Sequence, residues 1–279
     1  MNRIVFLGDS YTWGEGLELF IETDKWKSQR QKVSNWSDIE PITDDNSNHY
    51  REKNRFPTIV SDYFGLKSVV DVNNSGSFST NISVLNKTIA NVGVDGIQAI
   101  VVQLSYFYRT PIHLTYECVC SWCKRRPDYP IVSLMEDVSV GDPTDINSHT
   151  ILKSFKKDKI DGEFLDWFWK WTKWIRRYCY DLLEFKLKQY EDRGIPILFI
   201  DTWDEEEEYV YQRKYITDRF VPLIGKDEQL YDRWVDFKNT FGNTFDINGY
   251  FPNTNNHHPS LLAHQYIAKS VIQKLEKVL

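Results

Sequence analysis

The run Ile4-Val5-Phe6-Leu7 is apolar at every position and stops on Gly8-Asp9-Ser10. A strand with one wet face alternates apolar and polar residues. A run without alternation belongs to a strand buried on both faces, the condition of a parallel sheet covered by helices. Gly8 lets the chain turn sharply at the strand's carboxyl end, where open α/β sheets place their ligands. The same pattern continues downstream. Residues 68–72, 97–104 and 195–200 read as further short strands, with Pro196 tolerable near the start of its own. Between and after them, residues 56–64 (ended by Gly65), 82–92, 163–192 and 259–279 read as helices. Ile82, Leu85, Ile89 and Val92 have helical spacing, and Pro259 sits in the first turn of the last helix. Alternating strands and helices predict an α/β fold with a mostly parallel central sheet.

Two segments break this rhythm. Residues 21–55 are polar and charged with few periodic apolar positions, and read as a surface excursion beside the Ser10 turn. Residues 105–162 follow the third strand with Pro, Cys, Asp and aromatic residues in no clear period. They begin at the strand's functional end, so they read as a large insertion that caps or walls the site. There is no internal repeat. The 279 residues are expected to form a single domain, 1–279, carrying these two additions.

Charge narrows the partners. A net charge of −6 and a pI near 5.6 argue against nucleic acid, whose binders are usually basic. The short clusters Lys124-Arg125-Arg126 and Lys156-Lys157 read as solvated faces. The acidic run at residues 204–208 reads as the start of a helix, where the macrodipole favours carboxylates. No apolar stretch approaches the ~18 residues of a membrane span. The N-terminus enters the first strand without the pattern of a signal peptide, so a cytoplasmic location, or a place in a larger assembly, is expected. Cys118, Cys120 and Cys123 crowd one segment with His113 upstream. They lack the second ligand pair of common zinc modules, so reduced thiols are expected rather than metal. Cys179 reads as a buried apolar residue. Ten Trp, 16 Tyr and 16 Phe exceed ordinary core needs, most visibly in Trp167-Phe168-Trp169-Lys170-Trp171-Thr172-Lys173-Trp174. Helix packing or a homo-oligomer interface is the simplest use of that pile-up; contact with sugar rings is the functional one.

Three short blocks carry the chemistry: Gly8-Asp9-Ser10 after the first strand, Asn74-Ser75-Gly76 after the second, and Asn255-Asn256-His257-His258-Pro259-Ser260 before the last helix. Together they resemble the SGNH or GDSL hydrolase family. The resemblance covers both ends and the scaffold strands, but not residues 21–55 or 105–162. It implies a three-layer α/β/α, flavodoxin-like fold with Ser10 as nucleophile. The backbone N–H groups of Ser10 and Gly76 would hold the oxyanion, and His258, just before proline, would be the base. His257 is the alternative base in a shifted register, while His264, one turn into the helix, reads as structural. Asp9, Asn74, Tyr106, Arg109 and His257 are candidate substrate contacts.

Two positions depart from the family pattern. The family carries Asp three residues before its catalytic His, and here Asn255 stands there. An Asn can orient the imidazole through its oxygen but adds no charge, a change that costs about 10⁴ in kcat in a serine protease triad. Asp246, Asp201 or Asp204 could supply a carboxylate instead, or a backbone carbonyl could orient a Ser10–His258 dyad. The family's third block commonly holds an oxyanion Asn, whereas this chain reads Gln103-Leu104-Ser105-Tyr106-Phe107-Tyr108-Arg109. One lost oxyanion donor costs about 3 kcal/mol.

The expected function is therefore hydrolysis of an ester, most simply an O-acetyl or other short acyl group on a carbohydrate, with no metal or organic cofactor. The alternative is a catalytically weakened module that binds glycans or serves a structural role. A nucleotide-binding domain is disfavoured, because residues 8–14 contain neither Gly-x-Gly-x-x-Gly nor Gly-Lys-Ser/Thr.

Overall fold

The computed structural model describes residues 2–14, 17, 45–72, 81–104, 110–113, 131–134, 162–201, 213–231, 236–237, 240 and 259–279. Strand β1 (Arg3–Gly8) lies between β2 (Lys67–Val72) and β3 (Ile97–Leu104), and β3 pairs with β6 (Ile197–Asp201). All three pairings are parallel, with Gly8 opposite Val72, Leu7 opposite Val102 and Leu104 opposite Asp201. The carboxyl ends of all four strands therefore share one edge. Phe199 also bridges Phe220 in parallel, and the Val221 N–H donates to the Phe199 carbonyl at 2.8 Å. One residue of a further strand thus covers the outer side of β6.

Both faces of the sheet are buried, which is why the strands are apolar throughout. Ile4, Phe6, Ala99, Val101, Leu198 and Ile200 point to one face, where α3 (Phe56–Tyr63) and α7 (Leu261–Leu275) cover them. Val5, Leu7, Ile100, Val102, Ile197 and Phe199 point to the other, beneath α4 (Asn81–Val92) and α5 (Gly162–Glu191). The chain leaves β1 toward β2 by the first face and returns from β2 across to β3 by the second. Helix α3, which follows β1, and helix α5, which follows β3, thus lie on opposite faces of the sheet, the arrangement in which open α/β sheets place ligands at the carboxyl ends of their strands.

Helices α3 and α7 run side by side in one direction. Near their starts the Phe56 N–H donates to His264 Nδ1 at 3.2 Å, with the two rings stacked at 5.8 Å. At their far ends the Tyr63 hydroxyl donates to Glu276 at 2.6 Å. Because the Lys67 N–H donates to the Asn2 carbonyl, the α3–β2 turn lies at the amino edge of the sheet. Phe56, and with it the start of α7, lies at the carboxyl edge. Ser260 caps α7, its hydroxyl accepting the Ala263 N–H at 3.0 Å. On the other face, Arg219 beyond α6 (Lys214–Thr217) forks onto Glu191 of α5 at 2.6 and 3.1 Å. Half-buried Cys179 has its thiol pushed up by burial.

Some expectations change. Within residues 21–55, read as an excursion, Asp45–Asn54 forms helix α2. The segment 105–162 contains a two-stranded antiparallel pairing of β4 (Thr110–His113) with β5 (Ile131–Leu134). A second small pairing joins β7 (Leu223–Ile224) to β8 (Leu230–Tyr231). Residues 204–208, Cys118, Cys120 and Cys123 lie outside the described residues. Among those described, no helix is long and apolar enough to cross a membrane.

His264 is fully buried, so its ring nitrogen is the acceptor that joins the two helix starts. His264→Phe keeps a ring of similar size and strands the Phe56 N–H. It is expected to lower the unfolding free energy by about 1–3 kcal/mol, measured by urea denaturation.

Candidate functional site

Gly8 ends β1 at the carboxyl edge of the sheet, and Ser10 opens the short helix α1 (Ser10–Trp13). One side chain from the neighbouring strand holds this turn. The Oε1 of Gln103 accepts the Asp9 N–H at 3.2 Å, the Thr12 N–H at 3.1 Å and the Thr12 hydroxyl at 2.5 Å. Its Nε2 donates to Asp9 Oδ1 at 2.8 Å. The same Oδ1 accepts the Tyr11 N–H at 2.9 Å. The amide orientation follows from chemistry, since flipping it would set an NH2 group against three donors. Asp9, Thr12 and Gln103 are at most 2% exposed, so these bonds form in a medium where an unmade one costs most.

Alternation along the strands explains why position 8 is glycine. Ile4 and Phe6 point to the α3/α7 face, as do Ala99 and Val101 on β3, and residues 8 and 103 continue those two series. A Cβ on residue 8 would fall on Thr12 Oγ1 and the Gln103 amide, and 2.9 Å from Gln103 Cβ. The glycine makes room for the glutamine. Outside glycine, Asp227 and Glu228 are the described residues with positive φ. The turn at Ser10 is therefore held by hydrogen bonds and not by a strained backbone.

Past the turn, two guanidiniums pack on the Trp13 ring. Arg51 from α2 sits 4.8 Å from its ring centroid, and Arg55, just before α3, sits 5.1 Å away. Gly14, at φ +78°, closes α1 where a Cβ would meet Arg55 Cβ and Leu17 Cδ1, each at 2.9 Å. Burial pulls Arg55 down to about 10, with the Arg51 charge adding to that fall and exposed Glu52 opposing it.

Of the site residues expected from the sequence, the structure describes Asp9 in full and Ser10 through its backbone. Asp9, a candidate substrate contact, directs Oδ1 to the Tyr11 N–H and the Gln103 amide. Asn74, Gly76, Tyr106, Arg109, Asn255, His257 and His258 lie outside the described residues. Their described neighbours Val72, Leu104 and Pro259-Ser260 stand at the carboxyl edge with Gly8. Asp201 closes β6 at that edge, while Asp204 and Asp246 are outside the description. Among the described residues no three His, Cys, Asp or Glu side chains gather as a metal site would require. Gln103 and Thr12 were missed as site residues. The available signal was a lone amide near the end of the apolar strand Ile97–Leu104. No protein-family model, curated protein or solved structure matches the chain.

Gln103→Leu keeps a side chain of similar size in the strand but deprives three donors and the Asp9 carboxylate of their partner. It is expected to cost about 3 kcal/mol or more. Gly8→Ala is expected to cost about 1–3 kcal/mol by crowding the amide. Equilibrium urea unfolding of both variants, with the wild type alongside, measures each loss.

Proposed function

We propose that this chain is a serine hydrolase of the SGNH type, with a three-layer flavodoxin-like fold and residues 105–162 as a cap. Its substrate would be an O-acetyl or other short acyl ester on a carbohydrate. One observation carries the reading: the Gly8-Asp9-Ser10 turn stands at the carboxyl edge between two parallel strands whose following helices lie on opposite faces, fixed by a buried amide. The entry of α7 at the same edge, with its cap Ser260 two residues after His258, supports it further.

In this reading the Ser10 hydroxyl attacks the ester carbonyl carbon as His258 takes its proton. The N–H groups of Ser10 and Gly76 stabilise the oxyanion. Collapse of the tetrahedral species breaks the bond to the alcohol, which leaves with the proton from His258. Water, deprotonated by His258, then attacks the acyl-enzyme and releases the acid and free Ser10. Asn255 orients the imidazole through its side-chain oxygen. Asp9 positions the turn through its hydrogen bonds to the Tyr11 N–H and the Gln103 amide.

Hydrolysis of 4-nitrophenyl acetate tests the proposal. Ser10→Ala is expected to lower kcat/KM by at least about a thousandfold. Asn255→Asp, which restores a charge beside the imidazole, is expected to raise kcat by about tenfold or more. Equal rates in wild type and Ser10→Ala would refute the hydrolase. Retained glycan binding would then favour the weakened module, which Asn255 and the absent third-block Asn support.

A further inference from the structure

Arg55 has a place in the fold that the ester chemistry does not use. It is 8% exposed, and its Nη1 is buried without a hydrogen-bond partner among the described residues. Its Nε makes one long contact, 3.4 Å to the Thr58 hydroxyl, and its plane lies over Trp13. Arg51 donates through Nη2 to Asn48 Oδ1 at 2.7 Å, whereas neither Nη of Arg55 has a hydrogen bond to a described residue. A guanidinium does not discharge by losing its proton at working pH. Burying one without a paired anion costs stability, and an indole face offsets only part of that cost. Glu52, one turn back, is exposed and acts on it only at a distance.

The location gives those donors a direction. Trp13 follows Ser10 by one turn of α1, and Gly14 admits the Arg55 stem to that turn. We propose that Arg55, backed by Trp13, is a subsite for a carboxylate borne by the substrate, so that the esters turned over at Ser10 belong to acidic sugars or acidic acyl groups. A carboxylate matches the planar guanidinium fork and supplies the missing anion. Trp13 offers a flat face to the ring or chain that carries it. The proposal rests on the hydrolase reading for its ester, but the anion site can be tested without turnover.

The variants for the test are Arg55→Met, which keeps the aliphatic stem and removes the charge, and Arg55→Lys, which keeps the charge and removes the fork. Kinetics use 4-nitrophenyl hemisuccinate against 4-nitrophenyl acetate. In Arg55→Met the ratio of kcat/KM for the anionic over the neutral ester is expected to fall by about tenfold or more, through KM. Arg55→Lys is expected to fall between this variant and the wild type. The ligand-free melting temperature of Arg55→Met is expected to hold or rise, because an unpaired buried charge has gone. Calorimetry on Ser10→Ala protein is expected to detect D-glucuronate but not D-glucose, with the signal lost when Arg55→Met is added. An unchanged ester ratio together with no glucuronate binding would overturn the subsite. So would an Arg55→Met protein that fails to fold, since Arg55 would then be structural. If Ser10→Ala leaves hydrolysis intact, the hydrolase reading fails alone, and the glucuronate titration still decides the subsite.

Discussion

The carboxyl edge of this protein depends on one primary amide. Gln103 reaches from β3 across to the turn after β1 and gathers the Asp9 and Thr12 backbones, the Thr12 hydroxyl and the Asp9 carboxylate around one side chain. Few residues could take its place. Glutamate would set a second carboxylate against Asp9, and an apolar residue would orphan the donors. The amide also fixes register: a one-residue slip of β3 along β1 would turn residue 103 to the opposite face and leave every donor unmet. Buried polar networks of this kind narrow the acceptable pairings in a sheet whose apolar residues alone would tolerate several.

The α3/α7 layer is tied to the same edge by a second polar contact. His264 is buried among apolar residues, and accepting the Phe56 N–H gives the imidazole a use there. It also satisfies a donor at a helix start that has no side-chain cap. The consequence is positional. The start of α7 cannot slide along α3 without breaking this bond at one end and the Tyr63–Glu276 bond at the other. The residues that enter α7 are therefore anchored at the edge where Ser10 leaves β1.

Much of this scaffold was legible because burial on both faces writes itself into sequence. The runs at residues 4–7 and 97–104 have no other simple reading, and their strands fall within a residue or two of the expected bounds. Helix α2 was not legible. Its sequence Asp-Asn-Ser-Asn-His-Tyr-Arg-Glu-Lys-Asn offers no apolar stripe, and what it buries is the guanidinium of Arg51 over Trp13. The β4–β5 pairing lacks turn signals that would mark a hairpin, because a long stretch of chain separates its strands. The sheet position at Phe220 is a single bridge, too short for any periodicity. Gln103 was visible as a polar residue where none was needed for burial. Against the family pattern its strand stands out for the Asn that it lacks, and nothing in the sequence marks the hydrogen bonds that the Gln103 amide makes.

The two polar arrangements around α1 differ in one respect that bears on what each is for. Beneath the turn, the Gln103 amide and Asp9 Oδ1 meet donor with acceptor inside the protein, and such bonds confer rigidity. Beyond the turn, Arg55 holds a buried charge whose Nη1 has no hydrogen-bond partner among the described residues. Selection for stability alone would replace it with a residue of similar shape and no charge, since buried ion pairs and unpaired ions are commonly matched or bettered by apolar packing. A fold that ties one polar group to its neighbours and leaves the adjacent cation without a paired anion has separated the two requirements of a site. In the proposed hydrolase, the Gln103 side would hold the Ser10 turn and the Arg55 side would select what is brought to it.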